Sequence, residues 1–463
     1  MTTSTWASGV NGNFDDMTKW TGNHVPVAGD TALITASGTY TVFSDATNTI
    51  ANLDMAKTAT LDVHNDLFSV TSGASAHTLA GTITVDDAAG FQLGTDSTAT
   101  TFDNTGTIDI ESGADPTKLR IAGTVTLTGK GKVDLSGGLA SIVSDGAAGT
   151  LANSSTILGV GQVGGMLLSL DNAAKGIVDA DTPGTLSVMA ATTTNAGTME
   201  STGGTLLLGT NVTQPGNGKI KATASGSGIQ LDGIMIDGGS VSTAKGALIV
   251  PISGTSEINT AKAVVNDGDI LTDGGNLIID GNLKNAKNSV FQVELGTSIK
   301  VGGTVTGGDA VVETGGGTIE FGGPSSADVT FNANGTLILD DPAKFTGTVS
   351  GMTTNTGALI DFENLKFADS HSANYNSTTH VLTVADTTTG VIDKIKVASL
   401  ADINFHDAGD GSLEISDPAP ASVPLLVQAM ASFGANGSTA TSDAGNVTGG
   451  HPSPDFLAPP HHG

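Results

Sequence analysis

Aliphatic residues recur along the middle of this chain at a nearly constant interval. From Ile157 through Val178, Met199 and Ile220 to Val241 the numbering advances by 21 each time, and Ile270, Phe291 and Val312 continue the series with steps of 29, 21 and 21. A second series, Leu186, Leu206, Ile229, Leu248, Leu277, Ile299 and Ile319, drifts slightly but persists. Between these positions apolar and polar residues alternate over short runs, the pattern of half-buried strands, and Asn, Asp and Gly punctuate the runs as turn residues do. The local text repeats as well. "NAGTMESTGGTLLLG" (195–209) and "NDGDILTDGGNLIID" (266–280) share the plan Asn-x-Gly-x-apolar, Gly-Gly and an alternating segment, and "DGGSVSTAKGALIV" (237–250) follows it.

A unit of this length cannot enclose a core of its own. It suits one coil of a parallel β-helix, or β-solenoid, whose short strands stack on those of the next coil with the ~4.8 Å spacing of paired strands. The expected fold is therefore all-β, with coils of about 21 residues, aliphatic columns facing inward and Thr ladders facing solvent. Asn and Gly are expected at corners that need positive φ. The step of 29 exceeds the others by 8, which implies an insertion of that length in one turn, around "PISGTSEINTAKA" (251–263), forming a loop open to a partner.

The organisation divides into four parts. Residues 1–60 hold both tryptophans, Trp6 and Trp20, and read as an N-terminal cap with the first coils, since the open end of a solenoid needs a lid. Residues 61–343 carry the repeats. Residues 344–416 have longer loops between strands and read as a closing β module. Residues 417–463 comprise a Pro-rich linker "DPAPASVP", a short apolar segment "LLVQAMASF" and a low-complexity tail expected to be disordered.

Composition narrows the function. The formal net charge is −28, and Arg120 is the single arginine among 463 residues, which excludes a nucleic-acid partner and disfavours anionic membrane surfaces. There is no cysteine, so neither disulfides nor thiolate metal sites exist. The start "MTTSTWASGVNGNF" has neither a basic nor an apolar leader region, so no Sec-type signal peptide is expected, and no apolar run is long enough for a transmembrane helix.

Candidate chemistry is sparse. In "VVNDGDILTDGGNLIIDG" (264–281), Asp267, Asp269 and Asp273 are candidate calcium ligands, but the sibling coil places Ala196, Thr198 and Thr202 at those positions, which reads as a scaffold turn. "FHDAGDGSLEI" (405–415) offers Asp407 and Asp410 as further calcium candidates in a tight loop. No other cofactor is expected. A hydrolase would need two carboxylates across a cleft, for which Asp267, Asp269 and Asp273 with Glu294 and Glu313 are the candidates. A uronic-acid lyase would need basic residues that this chain lacks. "GVGQVGG" (159–165) lacks the Lys-Ser/Thr end of a phosphate loop and reads as a turn. The nine histidines are scattered, with His451, His461 and His462 in the tail.

The N-terminal text "GNF…W…VP…GDTALI…GTYTV" and the Asn-x-Gly coils resemble secreted bacterial β-strand repeat proteins of the autotransporter-passenger type, over most of residues 1–416. No C-terminal membrane barrel of alternating strands is expected in this sequence after residue 416. The tail instead resembles the uncleaved C-terminal signals of type I exported proteins. The resemblance implies a right-handed solenoid, secreted or held at the cell surface, with a structural or adhesin-like role and no catalytic activity. The partner would be a cell-surface polysaccharide or a host surface. The alternatives are a carbohydrate-active β-helix enzyme and a calcium-dependent extracellular binding module. The oligomeric state is left open.

Overall fold

The computed structural model describes residues 2–72, 77–287, 289–312 and 316–418. Each turn of the chain runs along three short strands, and each strand pairs in parallel with its equivalents in the turns before and after. The first side begins with Thr3–Thr5, Thr31–Ile34 and Asn52–Met55 and ends with Ala358–Lys366. The second begins with Gly12–Asn13, Tyr40–Ser44 and Ala59–Val63 and ends with Val305–Thr306. The third begins with Asn48–Ile50 and Leu67–Val70 and ends with Thr348–Ser350. The whole is a parallel β-solenoid of about fifteen turns with coils of about 22 residues, as the period of the aliphatic series predicts.

Strand-by-strand register shows why the period was visible. Ile157 faces Val178, Val178 faces Met199, Met199 faces Ile220, and Ile220 faces Val241, all on the second side and all buried. Each such side chain contributes about 1.5–3 kcal/mol through removal from water. Its neighbours above and below are its own equivalents, so the core is a column repeated coil by coil.

The same register corrects the expected insertion. Ser242 and Thr243 pair with Val265 and Asn266, which sets Val264 above Val241. Ile270 instead continues a third-side column, Ile249 to Ile270 to Phe291. Phe291 faces Ala310, and Val312 pairs with Val293. The long step from Val241 to Ile270 is thus one full coil followed by a move to the next side. Residues 251–263 are not a protruding loop: Leu248–Ser253 lies on the third side and Thr255–Asn259 on the first. The second series crosses sides in the same way. Leu186, Leu206 and Ile229 stack on the third side, Ile229 faces Ile249 and not Leu248, and Leu277, Ile299 and Ile319 stack on the first.

Asparagine ladders hold two corners. Asn153, Asn172 and Asn195 are fully buried in register where the first side turns into the second. The Asn153 amide donates to Asn172 Oδ1 at 2.9 Å, Asn172 to Asn195 Oδ1 at 2.8 Å, and Asn195 to Gln214 Oε1 at 3.0 Å. At the next corner the Thr243 hydroxyl donates to Asn266 Oδ1, and the Asn266 amide to Asn285 Oδ1, both at 2.6 Å. The Asn172 and Asn195 amides also reach backbone carbonyls of Gly176, Thr198 and Lys219 near the corner. The glycines of the Asn-x-Gly motif serve close approach and not positive φ. Gly176, Gly197 and Gly268 have ordinary φ, but a Cβ on Gly197 would run into the carbonyl oxygens of Ala173 and Gly176 in the coil below.

Both ends depart from the repeat. Near the N-terminus Trp6, Phe14, Trp20 and Phe68 pack edge to face with ring centroids 5.1 Å apart, and Trp20 Nε1 donates to the Phe14 carbonyl at 2.7 Å. At the other end the pairing turns antiparallel. His371–Asn376, Val381–Asp386 and Ile392–Val397 form a meander on the third side, and Asn404–Asp407 and Ser412–Ser416 close the first. The expected Pro-rich linker begins inside the fold, where buried Asp417 accepts the Ala401 and Asp402 amides at 2.8 and 3.0 Å; the rest of it, the apolar segment and the tail lie outside the described residues beyond Pro418.

Asn172→Ala should break the ladder, taking one partner each from Asn153, Asn195 and the Gly176 and Thr198 carbonyls, and cost roughly 1–3 kcal/mol of local stability. Thr192→Ala, on the exposed face of the adjacent strand, should cost at most about 0.5 kcal/mol. Native-state hydrogen exchange of strands 168–172 and 192–195 reads the difference; equal protection in both variants would contradict the role given to the ladder.

Candidate functional site

Of the sequence-predicted ligands, Asp267 and Asp269 line one groove of about 360 Å3 with Lys245, and Asp410 joins two other acids. Asp267 is exposed just after a second-side strand, and Asp273 is exposed at the far end of the next strand. Asp269 lies between them, and its Oδ1 accepts the Val290 amide of the following coil at 3.0 Å. Glu294 accepts from Gln292 Nε2 at 2.7 Å, and Glu313 falls outside the described residues. Asp273 lies apart from Asp267 and Asp269, beyond the strand Asp269–Leu271. Of the two C-terminal candidates, Asp407 accepts the Gly409 amide of its own loop at 2.9 Å. Asp410 is drawn into a group the sequence did not indicate, with Asp361 and Glu363. The glycines of "GVGQVGG" act as turn residues, Gly159 and Gly164 at φ 104° and 105°.

Stacking creates its own constellations on the outer face of the second side. In register run Asp62, Thr84, Asp109, Asp134, Leu158, Asp179, Glu200 and Lys221. The stripe is acidic from Asp62 to Glu200 and ends where Lys221 Nζ meets Glu200 at 2.6 Å; within it Lys132 meets Asp134 at the same distance. Partial burial and mutual repulsion mark the acids. Burial, then Asp134, pushes the Asp109 carboxyl up, and burial pushes Asp179 up to about 6 against the hydroxyl of Thr202, with Glu200 and Asp181 adding to the rise.

One column further, the start of the stripe holds a histidine among carboxylates. His64 Nδ1 is 3.2 Å from Asp45, and its Nε2 is 3.2 Å from Asp62 and 3.3 Å from Asp86. The Phe43 ring stacks on the imidazole at 5.3 Å. Burial opposes the imidazolium, but the three carboxylates outweigh it and hold His64 above its ordinary range. The signal in the sequence was "LDVHND": residues at i and i+2 of a strand share a face, and the coils on either side contribute Asp45 and Asp86. Scattered histidines hid it, because two of the partners belong to other coils.

Near the other end, Asp361, Glu363 and Asp410 bring one oxygen each to within 4.8 Å of one another. The chain also forms grooves at its corners. One of about 510 Å3 is lined by Lys57, Thr82, Thr107, Lys130, Lys132 and Thr156, where Gly81, Gly106 and Gly131 stack. Another, of about 520 Å3, is lined by Thr192, Thr194, Asn211, Thr213 and Asp232.

No protein-family model matches the sequence, and no curated protein matches it either. No helix among the described residues is long and apolar enough to cross a membrane.

The pH dependence of stability follows from Asp179. Its folded pKa of about 6 lies above the ordinary 3.8, so the native state holds that proton more tightly than the unfolded chain. The contribution is complete below about pH 3.8 and is lost as pH rises through about 6. Denaturant titrations should show a stability gain between pH 7 and pH 5, and Asp179→Asn should raise stability at pH 7 and flatten that gain. Parallel profiles for the two proteins would refute the assignment.

Proposed function

We propose that this chain is an extracellular structural or adhesive solenoid that binds an extended polysaccharide along its stacked faces. The observation that carries the reading is the outward column Thr41, Thr60, Thr82, Thr107, Lys132, Thr156 on the second side, one hydroxyl or ammonium per coil in strict register. A polymer with a regular repeat meets such a column as a series of weak, equally oriented hydrogen bonds, and effective concentration multiplies them. The neighbouring groove offers Lys57 and Lys130 to anionic or hydroxyl groups of a sugar chain. The role requires no reacting group, only a rigid rod whose spacing does not vary.

Binding should therefore depend on polymer length. In sedimentation or surface-binding assays the intact chain should retain a long polysaccharide or whole cells far better than short oligosaccharides of the same sugar. Lys57→Glu combined with Lys130→Glu should weaken retention about tenfold, as expected for losing ~1.4 kcal/mol of contacts. Failure to retain any polysaccharide or cell surface would remove the adhesive reading.

Export is proposed to reside in the acidic, small-residue tail from about residue 420 onward, which resembles type I signals. Deleting residues 419–463 should leave the protein inside the producing cell, with the described solenoid folded. Undiminished secretion of the truncated chain would overturn this.

A further inference from the structure

We infer that Asp361, Glu363 and Asp410 form a calcium site that fastens the closing strand of the solenoid to its last coil. The geometry begins with the pairing of Ala358–Lys366 and Ser412–Ser416. These strands run antiparallel, with Leu359 opposite Ser416, Asp361 opposite Glu414 and Phe362 opposite Leu413. The register then jumps, so that Lys366 and not Phe362's neighbour faces Ser412. Glu363, Asn364 and Leu365 are left over on one strand as a bulge. Such bulges bend a strand and re-aim its side chains. Here the bulge places Glu363 beside the Asp410 loop.

Before any ion arrives, Asp410 is held by hydrogen bonds and Asp361 is buried. Asp410 Oδ1 accepts the Ser412 amide at 2.9 Å and the Ser412 hydroxyl at 2.7 Å. Asp361 is only 3% exposed, yet its Oδ1 has no hydrogen-bond partner, and the residue contributes a ligand atom to the group. A buried carboxylate oxygen without a donor is costly unless a cation meets it. Among the described residues no lysine, arginine or histidine pairs with any of the three acids. Asp361 is pushed up to about 6, by burial first, against the nearby Ser412 hydroxyl, and then by Glu414 and Asp410. Glu363 is raised by burial and then by Asp361 and Asp410. A cation would relieve that repulsion.

The donor set selects the ion. All three ligands are hard oxygens, with no nitrogen or sulfur, which favours calcium or magnesium over zinc or copper. Glu363 and Asp410 are exposed, so water can complete the six to eight positions that calcium accepts with variable geometry. One buried carboxylate, one held by Ser412 and one exposed suit that tolerance better than the strict octahedron of magnesium. The ion would join Asp361 and Glu363 of the last coil to Asp410 in the closing hairpin, and so seal the edge that the parallel stack leaves open.

The test is hydrogen exchange of the full chain in chelator, in calcium and in magnesium. Calcium at 100 times its dissociation constant should slow exchange in 358–366 and 404–416 about 100-fold for openings that release the ion, and leave the coils around 168–201 unchanged. Asp361→Asn, and separately Glu363→Gln, should abolish the calcium effect while keeping protection in chelator at or above that of the parent. Asp269→Asn with Asp273→Asn should retain the effect in full. No slowing by calcium, an equal effect of magnesium at the same concentration, or an effect that survives Asp361→Asn would each overturn the assignment.

Discussion

Parallel strands in strict register hold this protein together, and the rest of its structure follows from that one constraint. When a coil of about 22 residues stacks on its neighbour, every inward position meets its own equivalents above and below. In a core made this way most inward positions meet an aliphatic equivalent, with occasional large-on-small steps such as Phe291 on Ala310. The core is filled column by column, which explains why Val, Ile and Leu dominate and aromatics are few. Phenylalanines such as Phe68, Phe91 and Phe291 do sit within columns, but both tryptophans, Trp6 and Trp20, gather with Phe14 at one end, where a column has a neighbour on one side only.

The same constraint acts on polar groups with opposite sign. Aliphatic side chains gain from stacking on their like, and amides gain as well, because an Asn has both a donor and an acceptor to pass along the axis. Carboxylates have only acceptors and repel at one-coil spacing. The outer column of the second side shows the outcome: Thr84 and Leu158 interrupt the acids, and where two acids do stack, Asp109 on Asp134 and Asp179 on Glu200, a lysine meets one member of the pair, Lys132 at Asp134 and Lys221 at Glu200. Threonine suits the remaining positions because it is β-branched, uncharged and able to bond either way.

The coil was legible in the sequence because the register of Ile157 to Val241 stays constant for four steps. What could not be read was the side. The three sides have similar lengths and similar corners, so Asn195 and Asn266 carry the same Asn-x-Gly text although one closes a first-side strand and the other a second-side strand. A jump of one side then looks like an insertion, and residues 251–263 look like a loop. The acidic group around His64 stayed hidden for a related reason. Val42, Leu61, Ile83 and Ile108 are successive members of one column, yet they are unevenly spaced along the chain, so no fixed period brings the group's members together.

Asp410 was singled out for its tight Asp-x-x-Asp-Gly loop, and its partners were missed because periodicity says nothing about a chain that reverses. Within the repeats, a residue's spatial neighbours lie about one coil away in sequence. Where the last strands turn antiparallel that rule ends, and Asp361 meets Asp410 across a whole intervening meander. In-register stacking forces carboxylates of successive coils to share a column; Thr84 and Leu158 break that column into short runs, but Asp109 still stacks on Asp134 and Asp179 on Glu200. Antiparallel closure removes the column. It lets one strand contribute two acids across a bulge and a distant loop contribute a third, without propagating repulsion through the stack. A convergent group of hard ligands is thus easiest to build where the solenoid stops repeating, and that is also where an added crosslink does most to keep its open edge closed.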